Sequence, residues 1–206
     1  MIAMDLPRIV LASGSPRRHA ILSMAGIPHE VIESQIDEDA AECDDPTELV
    51  KSLSFEKARD VFAQADQTKP VIVIAADTVV DIGGRILGKP KDPEEAFAML
   101  GQLSGRPHTV HTGVTLMESL DGETSWETIA EETTVYMREF TDDEIHAYVA
   151  TGEPFDKAGA YAAQEKGAML IERIEGDFYN VMGLPLVRVY QMLARRGMDM
   201  GAIWRV

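Results

Sequence analysis

The chain has 206 residues, of which 45% are hydrophobic, so it can bury a core of its own, and we predict one domain over residues 1–206. Its 19 Lys and Arg against 35 Asp and Glu give a net charge of -16, which argues against a protein that binds DNA or RNA. Cys43 is the only cysteine and no apolar stretch is long enough for a membrane span, so we expect a cytoplasmic protein without disulfides or a membrane partner.

The chain opens with a strand, loop and helix unit. An apolar strand at 8–12 (RIVLA) leads into a polar turn, where Ser15 before a proline is typical of a helix start and Gly26 of its end. Arg17 and Arg18 fall in the first helical turn, where cations oppose the helix dipole. An anionic ligand would explain the pair, because the arginines and the free backbone N–H groups can hold phosphate oxygens. The alternative is a surface turn whose arginines pair with carboxylates.

Two stretches further along supply carboxylates. Glu38 lies in an acidic run that could face a metal, although such runs are more often solvated loops. The continuously apolar run at 71–76 (VIVIAA) predicts a buried strand that ends at Asp77 and Thr78. A carboxylate there is costly to bury unless it meets water, a cation or a metal. Asp77 could therefore bind Mg²⁺ or deprotonate a water, or it could simply cap a turn.

Capping and turn signals predict the remaining elements of a mixed sheet with flanking helices. Helix starts are predicted at Asp45, Asp92, Thr141 and Pro185. Hairpins are predicted between residues 79–81 and 85–87, and between residues 109–117 and 128–137 through the turn Asp121-Gly122.

Three glycine-rich segments could line a binding site. Residues 83–90 (GGRILGKP) resemble a phosphate-binding P-loop, but Pro90 stands where a Ser or Thr hydroxyl should reach Mg²⁺, so we reject that motif. Lys89 could still neutralise a phosphate, or be a solvated surface charge. Residues 152–164 are typical of a binding loop or of a long connector. Residues 176–185 are similar in character and could wall the same cleft.

Taken together, five segments in this order resemble the Maf family. They are LASGSPRR (11–18), ADTVV (76–80), LGKP (87–90), DKAGAY (156–161) and NVMGLP (180–185). The resemblance covers nearly the whole chain. It implies a two-lobed α/β fold with a long mixed sheet, flanking helices and a central cleft, similar to inosine triphosphate pyrophosphatases.

The resemblance also implies an activity, the attack of water on the α-phosphorus of a nucleoside triphosphate, which releases pyrophosphate with the help of Mg²⁺, Mn²⁺ or Co²⁺. It makes Asp77 the general base and Glu38 its helper, both at the metal. The residues implied to hold the triphosphate are Ser13, Arg18, Lys57, Lys89 and Lys157. Homodimers are common in the family, and the resemblance leaves that assembly open.

Substrate choice follows from three further positions. Arg17, Thr78 and Gln164 match the branch of the family that prefers dTTP and UTP, and a glutamine amide can both donate to and accept from a uracil or thymine edge. Glu165 and Lys166 depart from the family pattern of a glycine and an apolar residue, which could alter the rim of the base pocket. Two alternatives remain: a nucleotide-binding regulator of septum formation with little turnover, and an enzyme that removes only the γ-phosphate.

Overall fold

The computed structural model describes residues 6–38, 43–120 and 122–204. The strands are β1 (Arg8–Leu11), β2 (Glu30–Val31), β3 (Val71–Ile82), β4 (Arg85–Leu87), β5 (Pro107–Leu120), β6 (Glu123–Met137) and β7 (Ile171–Glu175). The helices are α1 (Pro16–Met24), α2 (Pro46–Gln64), α3 (Pro93–Leu103), α4 (Asp142–Val149), α5 (Phe178–Val181), α6 (Leu186–Ala194) and α7 (Met200–Ile203). Short 3-10 turns lie at Glu153–Asp156, Ala158–Ala160 and Lys166–Leu170.

The seven strands form one mixed sheet in the order β2, β1, β3, β5, β6, β7, with β4 paired to β3. Strand β1 runs parallel to β2 and to β3, whereas the other pairs are antiparallel. This arrangement confirms the predicted mixed sheet and both predicted hairpins. Gly122 turns the longer hairpin with a φ of +81°, and Asp121 lies outside the described residues.

The helix starts follow the predicted capping chemistry. Asp45 accepts hydrogen bonds from the first backbone N–H groups of α2, and Asp92 does so for α3. Thr141 and Glu144 form both bonds of the capping box that opens α4. The first helix differs, because Ser15 is its N-cap residue but makes no side-chain capping bond. No capping side chain therefore competes with a ligand for the first backbone N–H groups of α1.

The prediction that the strand at 71–76 ends at Asp77 and Thr78 was wrong. Strand β3 continues to Ile82, so Asp77 and Thr78 lie inside it, opposite Gly113 and Thr112 of β5. The β-branched residues that follow Asp77 favour a strand, and β5 offers them a hydrogen-bonding partner throughout. The two candidate side chains are thus held by a rigid strand instead of a loop.

Helix α2 lies unusually close to the middle of β5. A Cβ atom on Gly113 would come within 2.1 Å of the Val50 carbonyl oxygen, so only glycine allows this approach. The contact sets α2 over the strand that pairs with β3. Lys57, about two turns further along α2, lies 2.6 Å from Asp77 through its Nζ.

The core has separate parts at the two ends of the long strands. At one end, Leu11 and Ile74 pack beneath α1 and α6, and Val73 packs on the opposite face beneath α2. At the other end, Leu100 of α3 and Tyr148 of α4 belong to a second cluster. A cleft opens between these two parts, which confirms the predicted two-lobed α/β fold with a central cleft.

In the part of the chain that the structure describes, we find no helix long and apolar enough to cross a membrane. The cytoplasmic location stays a prediction.

Candidate active site

The cleft has a volume of about 950 Å³ and is lined by segments from both halves of the chain. Every residue that was predicted to belong to the site lines it. These residues are Ser13, Arg17, Arg18, Glu38, Lys57, Asp77, Thr78, Lys89, Lys157 and Gln164. The fold thus brings together positions that are up to 151 residues apart in sequence (Ser13 to Gln164).

Two carboxylates and one ammonium group form the floor of the cleft, which we call the Lys57 cluster (Glu38, Lys57 and Asp77). Lys57 Nζ lies 2.6 Å from Asp77 Oδ1 and 2.8 Å from Glu38 Oε1. The side chains of Lys57 and Asp77 are only 7% and 8% exposed, whereas that of Glu38 is 43% exposed. Lys57 therefore offsets the charge of a buried aspartate and of a carboxylate that reaches solvent.

The charge state of Glu38 is set by opposing effects. Partial burial raises the pKa of its carboxyl, but the charge of Lys57 and its hydrogen bond outweigh this effect, and the net shift of the pKa is downward. Lys89 and Arg18 act in the same direction, with Lys89 Nζ at 3.6 Å from Glu38 Oε2. Glu38 is therefore ionised at neutral pH and available as an oxygen ligand.

The donor set of the Lys57 cluster fits a divalent metal that a substrate helps to hold. Within residues 6–38, 43–120 and 122–204 there is no group of three or more His, Cys, Asp or Glu that could hold a metal by itself. Mg²⁺ is commonly bound by one or two carboxylates together with substrate phosphates and waters. Glu38 and Asp77 supply that number of carboxylates at one place in the cleft.

Arg18 lies between this cluster and the first loop. Its Nε donates to the Gly183 carbonyl oxygen at 2.7 Å, its Nη1 to Ser13 Oγ at 3.2 Å, and its Nη2 to Thr78 Oγ1 at 3.1 Å. Burial lowers the pKa of the guanidinium, while Asp77 and Glu38 raise it. An arginine stays cationic throughout, so the wall of the cleft carries a fixed positive charge.

A second charged group joins α1 to the loop at 152–164, and we call it the Lys157 cluster (Arg17, Asp156 and Lys157). Arg17 Nη1 donates to Asp156 Oδ2 at 2.6 Å and its Nη2 to the Asp156 carbonyl oxygen at 3.0 Å. Lys157 Nζ donates to Asp156 Oδ1 at 2.6 Å and to the Glu153 carbonyl oxygen at 2.8 Å. Arg17 therefore pairs with a carboxylate, as the alternative of a surface turn predicts. It also lines the cleft.

The two residues that depart from the family pattern lie beside Gln164. Gln164 Nε2 donates to Glu165 Oε1 at 3.3 Å, and Glu165 Oε2 lies 3.9 Å from Lys157 Nζ. Lys166 Nζ lies 3.9 Å from Glu153 Oε2. Glu165 thus touches both the Lys157 cluster and the predicted base-reading glutamine.

Several residues of the cleft region escaped the sequence analysis. Glu33 lines the cleft beside Gly14. Glu153 is buried and accepts hydrogen bonds from Tyr148 Oη and from the backbone N–H of Gly167. These carboxylates lie in stretches with many other acidic residues, and no spacing distinguishes them. Asp156 lies within the predicted loop at 152–164, but nothing local indicates that Arg17 is its partner.

Comparison with known proteins assigns the family. The family model described as "Maf-like protein" matches residues 8–196, and we conclude that the chain belongs to the Maf family. Three similar relatives each carry the name dTTP/UTP pyrophosphatase. The relative from Thermoanaerobacter sp. (strain X514) is 47% identical over 91% of this chain and 96% of its own length. The relative from Dictyoglomus turgidum is 45% identical over 92% and 96%, and the relative from Acetivibrio thermocellus is 48% identical over 93% and 96%.

Among solved structures, a nucleoside-triphosphatase / dITP/XTP pyrophosphatase from Mycobacterium abscessus aligns with 63% of this chain and 74% of its own, at 14% identity and a TM-score of 0.36. A similarity at this level adds nothing to the family assignment.

Proposed function

We propose that this protein hydrolyses dTTP and UTP to the monophosphate and pyrophosphate. The observation that carries the proposal is the Lys57 cluster, where two carboxylates meet at one ammonium group in a cleft that Arg18, Arg17 and Lys157 also line. Relatives that match nearly the full length of the chain are named for this activity. The cleft offers the groups that attack on a phosphorus atom requires: a base, and cations for the phosphates.

In this proposal Asp77 removes a proton from the attacking water. Its carboxylate is buried and its Oδ1 is held at 2.6 Å by Lys57 Nζ, so its position on β3 is fixed before the substrate arrives. Glu38 is held by the same ammonium group and orients the water or the phosphate side of the reaction. A bound Mg²⁺, Mn²⁺ or Co²⁺, held by Glu38 and Asp77, would stabilise the negative charge that develops on the phosphates.

In this proposal, two groups of cations in the cleft bind the triphosphate. Arg18 and Lys89 lie on the side of the Lys57 cluster, and Arg17 and Lys157 lie on the side of the loop at 152–164. Because the chain carries a net charge of -16, these local cations are needed to attract a polyanion into the cleft.

In this proposal, the side chain of Gln164 accounts for the preference for pyrimidines. Its amide lines the cleft, and an amide can donate to a carbonyl oxygen of uracil or thymine while it accepts from the ring N3–H. Cytosine presents a ring nitrogen that accepts instead of donating, so the same pair of bonds is not available to it. The relatives named dTTP/UTP pyrophosphatase support this choice.

Product analysis tests the proposal. The purified protein is incubated with dTTP, UTP, CTP, GTP and 7-methyl-GTP in the presence of Mg²⁺ or Mn²⁺, and the products are separated by chromatography. We expect monophosphate and pyrophosphate from dTTP and UTP, and loss of both products when the metal is chelated. Release of inorganic phosphate and a nucleoside diphosphate would instead identify a γ-phosphatase. Nucleotide binding without any turnover would contradict the proposed enzymatic activity and favour a regulatory binding protein.

A further inference from the structure

A chain of hydrogen bonds runs from the cleft into the buried part of the sheet. Arg18 Nη2 lies 3.1 Å from Thr78 Oγ1, and Thr78 Oγ1 lies 3.0 Å from Thr112 Oγ1. Thr112 Oγ1 lies in turn 3.1 Å from the Asn180 carbonyl oxygen. Thr78 and Thr112 are direct partners across β3 and β5, and Thr112 has no exposed surface.

The two ends of this chain determine the direction of every bond in it. A guanidinium group can only donate and a carbonyl oxygen can only accept, whereas each hydroxyl carries a single proton. The Thr112 proton is used on the Asn180 carbonyl, so Thr112 must accept from Thr78. The Thr78 proton is then used on Thr112, so Thr78 Oγ1 meets Arg18 as an acceptor. Thr78 therefore cannot donate to a phosphate oxygen.

This direction of the hydrogen bonds gives Arg18 an acceptor at Thr78 Oγ1. A guanidinium group has five N–H donors. Three of them are given to Gly183, Ser13 and Thr78, which leaves two for a ligand. If the Thr78 hydroxyl turned its proton toward Arg18, this acceptor would be lost and the arginine would be held at two points instead of three.

Thr112 also connects two of the supports of Arg18. Asn180 is fully buried, and its Nδ2 donates to the Val110 carbonyl oxygen at 3.1 Å and to Thr133 Oγ1 at 3.0 Å. Its segment continues to Gly183, whose carbonyl oxygen accepts from Arg18 Nε. Through Thr112, the strand that carries Thr78 and the segment that carries Gly183 are joined behind the arginine.

We propose that Thr112 is a positioning residue for the nucleotide site. By taking the proton of Thr78, it keeps Thr78 Oγ1 as an acceptor and holds the Arg18 guanidinium in the orientation that binds the phosphates. This inference rests on the proposed function, since it gives Arg18 a nucleoside triphosphate as its ligand.

The test compares two buried threonines of the same strand. Thr112→Val removes the hydroxyl behind Arg18. Thr115→Val is the matched control, because Thr115 is also fully buried on β5 and bonded through Oγ1, to Ser54 at 3.0 Å and to Thr128 at 2.9 Å, away from Arg18. We expect Thr112→Val to raise KM for dTTP about tenfold with a smaller change in kcat, and Thr115→Val to leave KM unchanged at a similar loss of thermal stability. Thr112→Ser, which keeps the hydroxyl, should restore KM.

Binding of α,β-imido-dUTP, measured by calorimetry, gives a second readout that needs no turnover. We expect the Kd to rise about tenfold in Thr112→Val and to be unchanged in Thr115→Val. Equal KM and Kd values in the two variants would overturn the inference, and so would a failure of Thr112→Ser to restore them. If Thr112→Val does not fold, Thr112→Cys takes its place, since a thiol keeps the volume but bonds weakly.

The two proposals fail in different ways. A wild-type protein that binds the analogue but hydrolyses neither dTTP nor UTP contradicts the proposed function, and the Kd values of the variants still decide the role of Thr112. A wild-type protein that does not bind the analogue overturns both.

Discussion

Two lysines that line the cleft, Lys57 and Lys157, are equally buried, each with 7% of its side chain exposed, yet their surroundings differ. Lys57 contacts two carboxylates, and one of them, Asp77, is only 8% exposed. Lys157 contacts Asp156, which is 59% exposed and is shared with Arg17. Counting the ion pairs shorter than 3 Å, the first cluster has two anions for one cation, and the second has two cations for one anion; Lys89 and Glu165 lie further out, at 3.6 Å from Glu38 and 3.9 Å from Lys157.

The ratio of charges, more than burial, separates the two roles. A cluster with an excess of carboxylate can hold a divalent cation and accept a proton. A cluster with an excess of Arg and Lys can hold phosphate oxygens through charge-assisted hydrogen bonds. We therefore expect damage to the Lys57 cluster to appear in kcat and damage to the Lys157 cluster to appear in KM.

The two aspartates give the largest expected difference. Asp77→Asn should lower kcat for dTTP about 1000-fold, because the amide cannot take a proton from water. Asp156→Asn should change KM only a fewfold, since its carboxylate is largely exposed and only positions two cations. Steady-state release of pyrophosphate measures both. Equal losses of kcat in the two variants would remove the distinction between the clusters.

His108 shows what burial does to a base that lacks an acidic partner. It is 3% exposed, and its Nε2 lies 2.8 Å from the hydroxyl of Tyr161. Burial lowers the pKa of His108 from 6.5 to about 4, so between these values the unfolded chain binds a proton that the folded chain does not. Its contribution to stability is complete above pH 6.5 and decreases as the pH falls, by about 3 kcal/mol at pH 4.

Urea denaturation at neutral pH and near pH 4 measures this loss. In His108→Gln, which keeps a polar partner for Tyr161, the loss between the two pH values should shrink by about 3 kcal/mol. His146→Gln is the control, because it makes the same substitution at an exposed histidine. An unchanged pH dependence in His108→Gln would show that other groups cause the acid lability. Profiles of activity against pH that extend to acidic pH must be corrected for this loss of stability.

The two lysines themselves are the next test. Lys57→Met leaves Asp77 buried without its cation, and we expect kcat to fall about 100-fold. Lys157→Met removes a donor from the phosphate side, and we expect KM to rise about tenfold while kcat is nearly kept. Circular dichroism checks that both variants are folded. A rise of KM alone in Lys57→Met would place the two lysines in the same role.

Glu165 should give the smallest effect. Its bond from Gln164 Nε2 is long, at 3.3 Å, and exposed, and such bonds contribute little. We expect Glu165→Gln to change the ratio of kcat/KM for dTTP and dCTP by no more than about threefold. Glu172→Gln removes an exposed carboxylate from β7 and serves as the control. A much larger change in Glu165→Gln alone would mean that Glu165 takes part in reading the base.

Local patterns were enough to predict several elements and some of the residues that line the cleft. The starts of α2, α3 and α4 follow from side chains that bind backbone N–H groups one turn away, so the information lies within four residues. All ten predicted site residues line the cleft. Their roles came from the family resemblance, and Lys57 was found through it alone, because an isolated lysine in a helix has no local pattern that distinguishes it from a surface charge.

Long-range contacts could not be predicted in this way. The sequence by itself determined the residue types of the cleft, the caps of the helices and the apolar run that begins β3. Only the tertiary structure decided that β3 continues past Asp77, that Lys57 joins Asp77 to Glu38, and that Arg17 meets Asp156 across 139 positions. The physical reason is that capping and periodicity act over one or two turns of chain, whereas the pairing of charges and hydroxyls depends on which strands and helices pack together.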